Sequence, residues 1–125
     1  MRAERVIAGG ALLVTVGIAI GALGSHALRA VLPPRQLESL ATAVQYQLIN
    51  GLALVLIGAL MRSGMPRLGW PAGLIAAGTL CFSGGIYLML LGAPALLGLV
   101  TPVGGVLLMA GWLAFALFAA GIKKA

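Results

Sequence analysis

The sequence predicts an all-α membrane protein, a single bundle of four transmembrane helices. Four apolar stretches, about residues 6–27, 40–60, 70–91 and 102–121, fill the chain almost end to end. With a helical rise of about 1.5 Å per residue, ~20 residues cross the ~30 Å hydrocarbon layer, and no Lys, Arg, Asp or Glu interrupts these stretches. Of the 125 residues, 62% are hydrophobic and 8% charged, too little polar surface to cover a soluble globule. The runs are continuous rather than alternating, which sets transmembrane strands aside. Linkers of 9 to 12 residues leave no room for a second domain, so residues 1–125 read as one integral membrane unit.

Each element has a local rationale. The first run follows Arg2 and Arg5 and is longer than the core of a signal sequence, so Ser25-His26-Ala27 is not read as a cleavage site and the segment is expected to stay. Pro33-Pro34 closes the first connection, with Pro34 in the first turn of a helix that begins outside the membrane and enters it near Leu40. Glu38 is expected near that positive helix end. Gly92, Ala93 and Pro94 break the third helix, and the apolar loop containing Leu96, Leu97 and Leu99 is expected at the interface. Thr101-Pro102 reads as N-cap and first residue of the fourth helix.

The net charge of +6 marks topology rather than a nucleic-acid surface. Arg2, Arg5, Arg62, Arg67, Lys123 and Lys124 fall on one side of four crossings, Arg29 and Arg35 on the other. The positive-inside rule then puts both termini in the cytoplasm, in a multi-pass protein of the bacterial inner membrane, where basic charge favours anionic lipid headgroups. Cys81, the single cysteine, lies mid-segment and reads as a small buried residue.

Small residues suggest how the helices join, because close backbone approach holds helices together in lipid. Gly17, Gly21 and Ser25 form one i, i+4 ridge, and Gly73, Ala77, Cys81 and Gly85 another, which pairs the first and third helices within the bundle or across a dimer. Residues 9–28 also align with 77–96 at an offset of 68, matching Gly10 with Gly78 and Gly17 with Gly85. That alignment suggests a duplicated helical hairpin in parallel orientation.

Polar residues within the segments gather toward the outer side, where each needs a hydrogen bond or solvent. The candidate cluster comprises Ser25, His26, Arg29, Thr42, Gln45, Tyr46, Asn50, Ser83 and Tyr87. Thr42, Tyr46 and Asn50 follow i, i+4 spacing with Gln45 adjacent, whereas Gln47 is expected to point away from that row. His26 has no second His, Cys or Asp near it, so neither a metal nor another cofactor is expected. Interhelical bonding is the simplest role for the amides and phenols.

Four motifs carry a resemblance. Gly21-Ala22-Leu23-Gly24-Ser25-His26-Ala27-Leu28, Thr42-Ala43-Val44-Gln45-Tyr46-Gln47, Phe82-Ser83-Gly84-Gly85-Ile86-Tyr87 and Thr101-Pro102-Val103-Gly104-Gly105 occur in that order. They resemble the successive signatures of the YgdD-like family, the domain of unknown function 423, which also has a small eukaryotic branch. The resemblance implies a four-helix inner-membrane protein with no established biochemical activity. Where relatives of that family carry His after the Gln-Tyr pair, this chain has Gln47 and Asn50, which argues against a mechanism built on several histidines.

Three function classes follow. The first is a non-catalytic accessory, assembly or stabilising component of a larger membrane complex or homo-oligomer, its partners being the bilayer, other membrane subunits or itself. The second is a small-solute transporter or channel using the outward polar cluster, although Glu4 and Glu38 both lie outside the segment interiors. An enzyme is the least supported, because no nucleophile-base pair, paired carboxylate or nucleotide loop is present; only His26 with Tyr46 and Arg29 could be pressed into such a role.

Overall fold

A computed structural model describes residues 2–121. Lys123 and Lys124, counted above in the charge bias, lie outside the described residues. Four helices form: α1 (Ala3–Ser25), α2 (Pro34–Arg62), α3 (Gly69–Leu90) and α4 (Val100–Ala119). All four are long and apolar enough to cross a membrane. Short 3₁₀ turns at Leu28–Ala30, Pro66–Leu68 and Ala95–Leu99 occupy the connections.

The helix ends follow from local chemistry. Arg2 enters α1 with extended backbone, and Glu4 lies in its first turn, where a carboxylate favours the helix dipole. Pro34 occupies the first turn of α2, where its missing N–H is one of the orphan donors in any case. The 29 residues of α2 run about 44 Å, well beyond the ~30 Å apolar layer. Glu38 falls in the second turn of α2, past the reach of the helix end, which corrects the expected dipole contact.

Two C-termini close by the same device. Gly64 (φ +114°) and Gly92 (φ +93°) take the left-handed conformation just beyond α2 and α3. Met65 N–H then reaches Leu60 O, and Ala93 N–H reaches Leu88 O, the outer bond of a Schellman motif in each case. The start of α4 differs from expectation. The Ala95–Leu99 turn runs directly into Val100, so Leu99 takes the N-cap position and Thr101 and Pro102 lie within the first turn.

The helices pack as two hairpins, α1 on α2 and α3 on α4, joined by α2 against α3. Val6, Leu54, Ile57, Met61, Leu68, Ala72, Ile75 and Leu108 form the apolar core, toward the end that carries the α2–α3 turn. Each hairpin crosses at a reciprocal glycine pair. A Cβ on Gly10 would meet Gly51 O and Leu54 Cβ, and one on Gly51 would meet Gly10 O at 3.0 Å. A Cβ on Gly78 would meet Leu108 N at 2.8 Å and Gly104 O at 3.0 Å, and one on Gly104 would run into the Phe82 backbone. Backbone contact of this kind replaces the hydrophobic driving force that lipid removes.

Within the bundle, the small-residue ridges of α1 and α3 therefore do not pair with each other. Gly17 and Gly21 face Leu48 and Val44 of α2, and Gly85 faces Thr101 of α4. Ala77 is exposed and Gly73 only half-buried, so their ridge makes no continuous interface. α1 and α3 do not form an extended interface with each other, and a cleft of about 460 Å³ lies between them. Cys81 is partly exposed on that same α3 ridge rather than buried.

Candidate functional site

The buried face of α2 includes Leu40, Val44, Gln47, Gly51, Leu54, Gly58 and Met61, alternating in steps of four and three. A seven-residue repeat of this kind keeps one stripe facing its neighbours. Gln47 belongs to that stripe, and Asn50 sits beside it one turn further along. Only 4% of Gln47 and 3% of Asn50 is exposed, so both amides must be satisfied by protein.

Gln47 joins three helices. Its Nε2 donates to Leu13 O of α1 at 2.8 Å, and its Oε1 accepts from the Tyr87 hydroxyl of α3 at 2.6 Å. Gly17 lies beside the first bond. Leu13 O faces the residue four positions on, where a Cβ would touch Gln47 Cδ at 3.5 Å and press on Leu48 Cδ2 at 2.8 Å.

Asn50 ties in the fourth helix. Its Oδ1 accepts from Trp112 Nε1 of α4 at 2.8 Å, while its Nδ2 donates to Tyr46 O of its own helix at 2.8 Å. Ser83 Oγ donates to Ala43 O at 2.7 Å, a second link between α2 and α3, and Thr79 Oγ1 donates to Ile75 O. Every buried side-chain nitrogen and oxygen among the described residues has a partner. Near the middle of the bundle, α2 is thus hydrogen-bonded by side chains to all three other helices.

The predicted cluster divides in space. Asn50, Ser83 and Tyr87 belong to this interior layer, together with Gln47, Trp112 and Thr79, which the sequence reading did not include. Gln47 does turn away from Thr42 and Tyr46, which are exposed, and by doing so it points into the bundle beside Asn50. Ser25, Arg29 and Gln45 line a depression of about 540 Å³ between α1 and α2 near the Leu28–Ala30 turn. Thr42 is exposed and donates to Glu38 O within α2, and His26 is exposed at the end of α1. The Tyr46 ring packs at a tilt of 37° on Phe82 with ring centroids 4.5 Å apart, and only its backbone carbonyl meets the amide network, through Asn50. Among the described residues no group of three or more His, Cys, Asp or Glu could hold a metal ion.

A family model described as "Protein of unknown function (DUF423)" matches residues 20–105. The chain belongs to the DUF423 family. The match begins in the second half of α1 and ends early in α4, so it contains Gln47, Asn50, Ser83 and Tyr87 but stops short of Trp112. The UPF0382 membrane protein SH2409 of Staphylococcus haemolyticus is 36% identical over 104 residues, 83% of this chain and 85% of that protein. SAB0533 of Staphylococcus aureus has the same identity and coverage. SSP2132 of Staphylococcus saprophyticus is 35% identical, covering 83% of this chain and 87% of the relative. No solved structure matches. Membership identifies a small membrane protein of a family without assigned activity.

Proposed function

We propose that this DUF423 protein is a non-catalytic component of the cytoplasmic (inner) membrane, an accessory, assembly or stabilising subunit of a larger membrane complex or of a homo-oligomer. One observation carries this reading: the buried polar side chains at mid-depth already have their hydrogen bonds within the bundle. Gln47, Asn50, Ser83 and Tyr87 hydrogen-bond between helices, which is how polar residues hold membrane bundles together. What remains for recognition is the lateral surface, including the exposed Val103, Val106, Met109 and Leu113 of α4.

The charge bias supports cytoplasmic termini, with Arg2, Arg5, Arg62 and Arg67 at that end and Trp70, 76% exposed, in the position of an interfacial aromatic. The repeated glycine pairs support a duplicated hairpin. Gly10 and Gly17 match Gly78 and Gly85 in role as well as in spacing, whereas the facing residues Gly51 and Gly104 are offset by only 53. The connections themselves, residues 26–33 and 91–99, are nearly equal, so on this reading the difference lies in the return helix: 17 residues of α2 precede Gly51, and four of α4 precede Gly104.

The test is isolation of the tagged protein from its native membrane in mild detergent, sized and identified by mass spectrometry. A fixed ratio with other membrane subunits, or a defined homo-oligomer, supports the proposal; a monomer devoid of partners overturns it. The depression lined by Ser25, Arg29 and Gln45 favours a second reading, transport of a small solute. Flux into proteoliposomes that Gln45→Ala abolishes would establish it.

A further inference from the structure

The cleft between α1 and α3 has a composition that selects its occupant. Its walls come from Leu12, Val16 and Ile20 on one side and Ala76, Leu80 and Gly84 on the other, over a floor that includes Gln47 and Leu54 of α2. The floor's polar groups are already bonded: the Gln47 amide to Leu13 O and Tyr87, the Ser83 hydroxyl to Ala43 O, the Thr79 hydroxyl to Ile75 O. The surface offered is hydrocarbon-like. At the end nearest the start of α1, a second cavity of about 300 Å³ shares Gly9, Leu54 and Ala76 with the cleft and adds Arg2, Arg5 and Val6. The two cavities make one continuous path, apolar along its length and doubly cationic at its mouth. Glu4, the acidic residue of that turn, does not line it.

We propose that this path is a binding site for one anionic phospholipid, with an acyl chain in the α1–α3 cleft and the phosphate between Arg2 and Arg5. Basic pockets between transmembrane helices on the cytoplasmic side take such headgroups, and arginine suits phosphate oxygens through its planar fork of donors. The dimensions agree. From Arg5 to Ile20 the path follows about 22 Å of helix, more than the ~15 Å depth of one leaflet's hydrocarbon, so a chain lodges along it without leaving the bilayer. A transmembrane helix, a cylinder about 10 Å across and 30 Å long of about 2,400 Å³, could cover the opening but not enter the cleft of about 460 Å³. A second copy in the same orientation would also bring its own Arg2 and Arg5 against the first pair.

The site is tested by native mass spectrometry of the delipidated, detergent-purified protein with added phosphatidylglycerol, against phosphatidylcholine bearing the same chains. One phosphatidylglycerol retained per protein, in preference to phosphatidylcholine, is expected. Arg2→Gln with Arg5→Gln should weaken retention about 30-fold, and either substitution alone about fivefold. Arg62→Gln with Arg67→Gln removes the same charge at the same membrane surface, away from the cleft mouth, and should leave retention unchanged. Gly84→Leu fills the cleft where an added Cβ meets nothing within 4 Å, so the bundle keeps its packing while lipid retention falls. Equal retention of the two lipids, or loss equal in both arginine pairs, overturns the site. Binding of inorganic phosphate alone, or a dimer that Gly84→Leu dissolves while lipid retention is unaffected, overturns it in favour of a free anion or a second copy.

Discussion

Gln47 shows how much can depend on one residue. Its amide supplies a donor to α1 and an acceptor to α3, so Gln47→Ala removes two interhelical bonds and leaves the Tyr87 hydroxyl without its partner. A loss of about 1–3 kcal/mol in unfolding free energy is expected, measured by denaturation in mixed micelles, whereas Gln45→Ala at an exposed position should stay within about 0.5 kcal/mol. Asn50→Ala and Trp112→Phe should show coupling of about 0.5–1.5 kcal/mol in a double-mutant cycle, and additivity would count against the bond between them. The sequence held the signal for Gln47. Its position in the stripe through Leu40, Val44, Gly51 and Leu54 was legible, but ordering the polar residues by i, i+4 spacing from Thr42 favoured a row whose first two members, Thr42 and Tyr46, are exposed. Trp112 was hidden because an indole in an apolar segment reads as a lipid-facing ring until its partner's depth is known.

Among the helices, glycine position matters more than glycine abundance. Gly10→Leu and Gly78→Leu place a side chain against the facing backbone and should each cost at least about 2 kcal/mol, with altered mobility on a native gel. Gly17→Leu must displace Leu48 and close the approach to Leu13 O, so it should also weaken the Gln47 bond. Gly9→Leu should be tolerated, because nothing lies within 4 Å of the new Cβ. Equal tolerance at Gly9 and Gly10 would mean that the hairpins do not cross at the glycine pair. The number, type and order of helices were legible because ~20-residue apolar runs have one stable form in lipid. Which helices pair was not, since i, i+4 ridges of small residues occur on exposed as well as buried faces. Gly73 and Ala77 satisfy the spacing of an interface, yet no other helix of the bundle covers them. Gly10 and Gly78 were present in the repeat alignment, but as matched letters without a facing partner.

At the scale of the molecule, orientation is open to direct test. With Cys81 replaced by Ala, a cysteine at Ser63 in the α2–α3 turn should resist a membrane-impermeant thiol reagent added to intact cells, while one at Arg35 should react. The reverse pattern would invert the topology and place the Arg2 and Arg5 mouth in the outer leaflet. Charge bias made this expectation available from sequence, and the antiparallel order of helices follows from short connections. The split of the polar residues into an interior layer and an outer depression was not available, because it depends on how far each helix is rotated about its axis. Spacing constrains that rotation only once the opposing helix is known.

The two hairpins also impose an order on biogenesis. Leaving the ribosome first, α1 and α2 can close their own glycine crossing, but Gln47 Oε1 and Asn50 Oδ1 then face hydrocarbon until Tyr87 and Trp112 arrive from the second hairpin. Two unpaired carbonyls at mid-depth make the half-finished protein adhesive, and the later helices are what cure it. A chain truncated after Arg62 would carry that adhesiveness permanently, so quality-control proteases of the membrane would have a chemical mark by which to tell the fragment from the finished bundle.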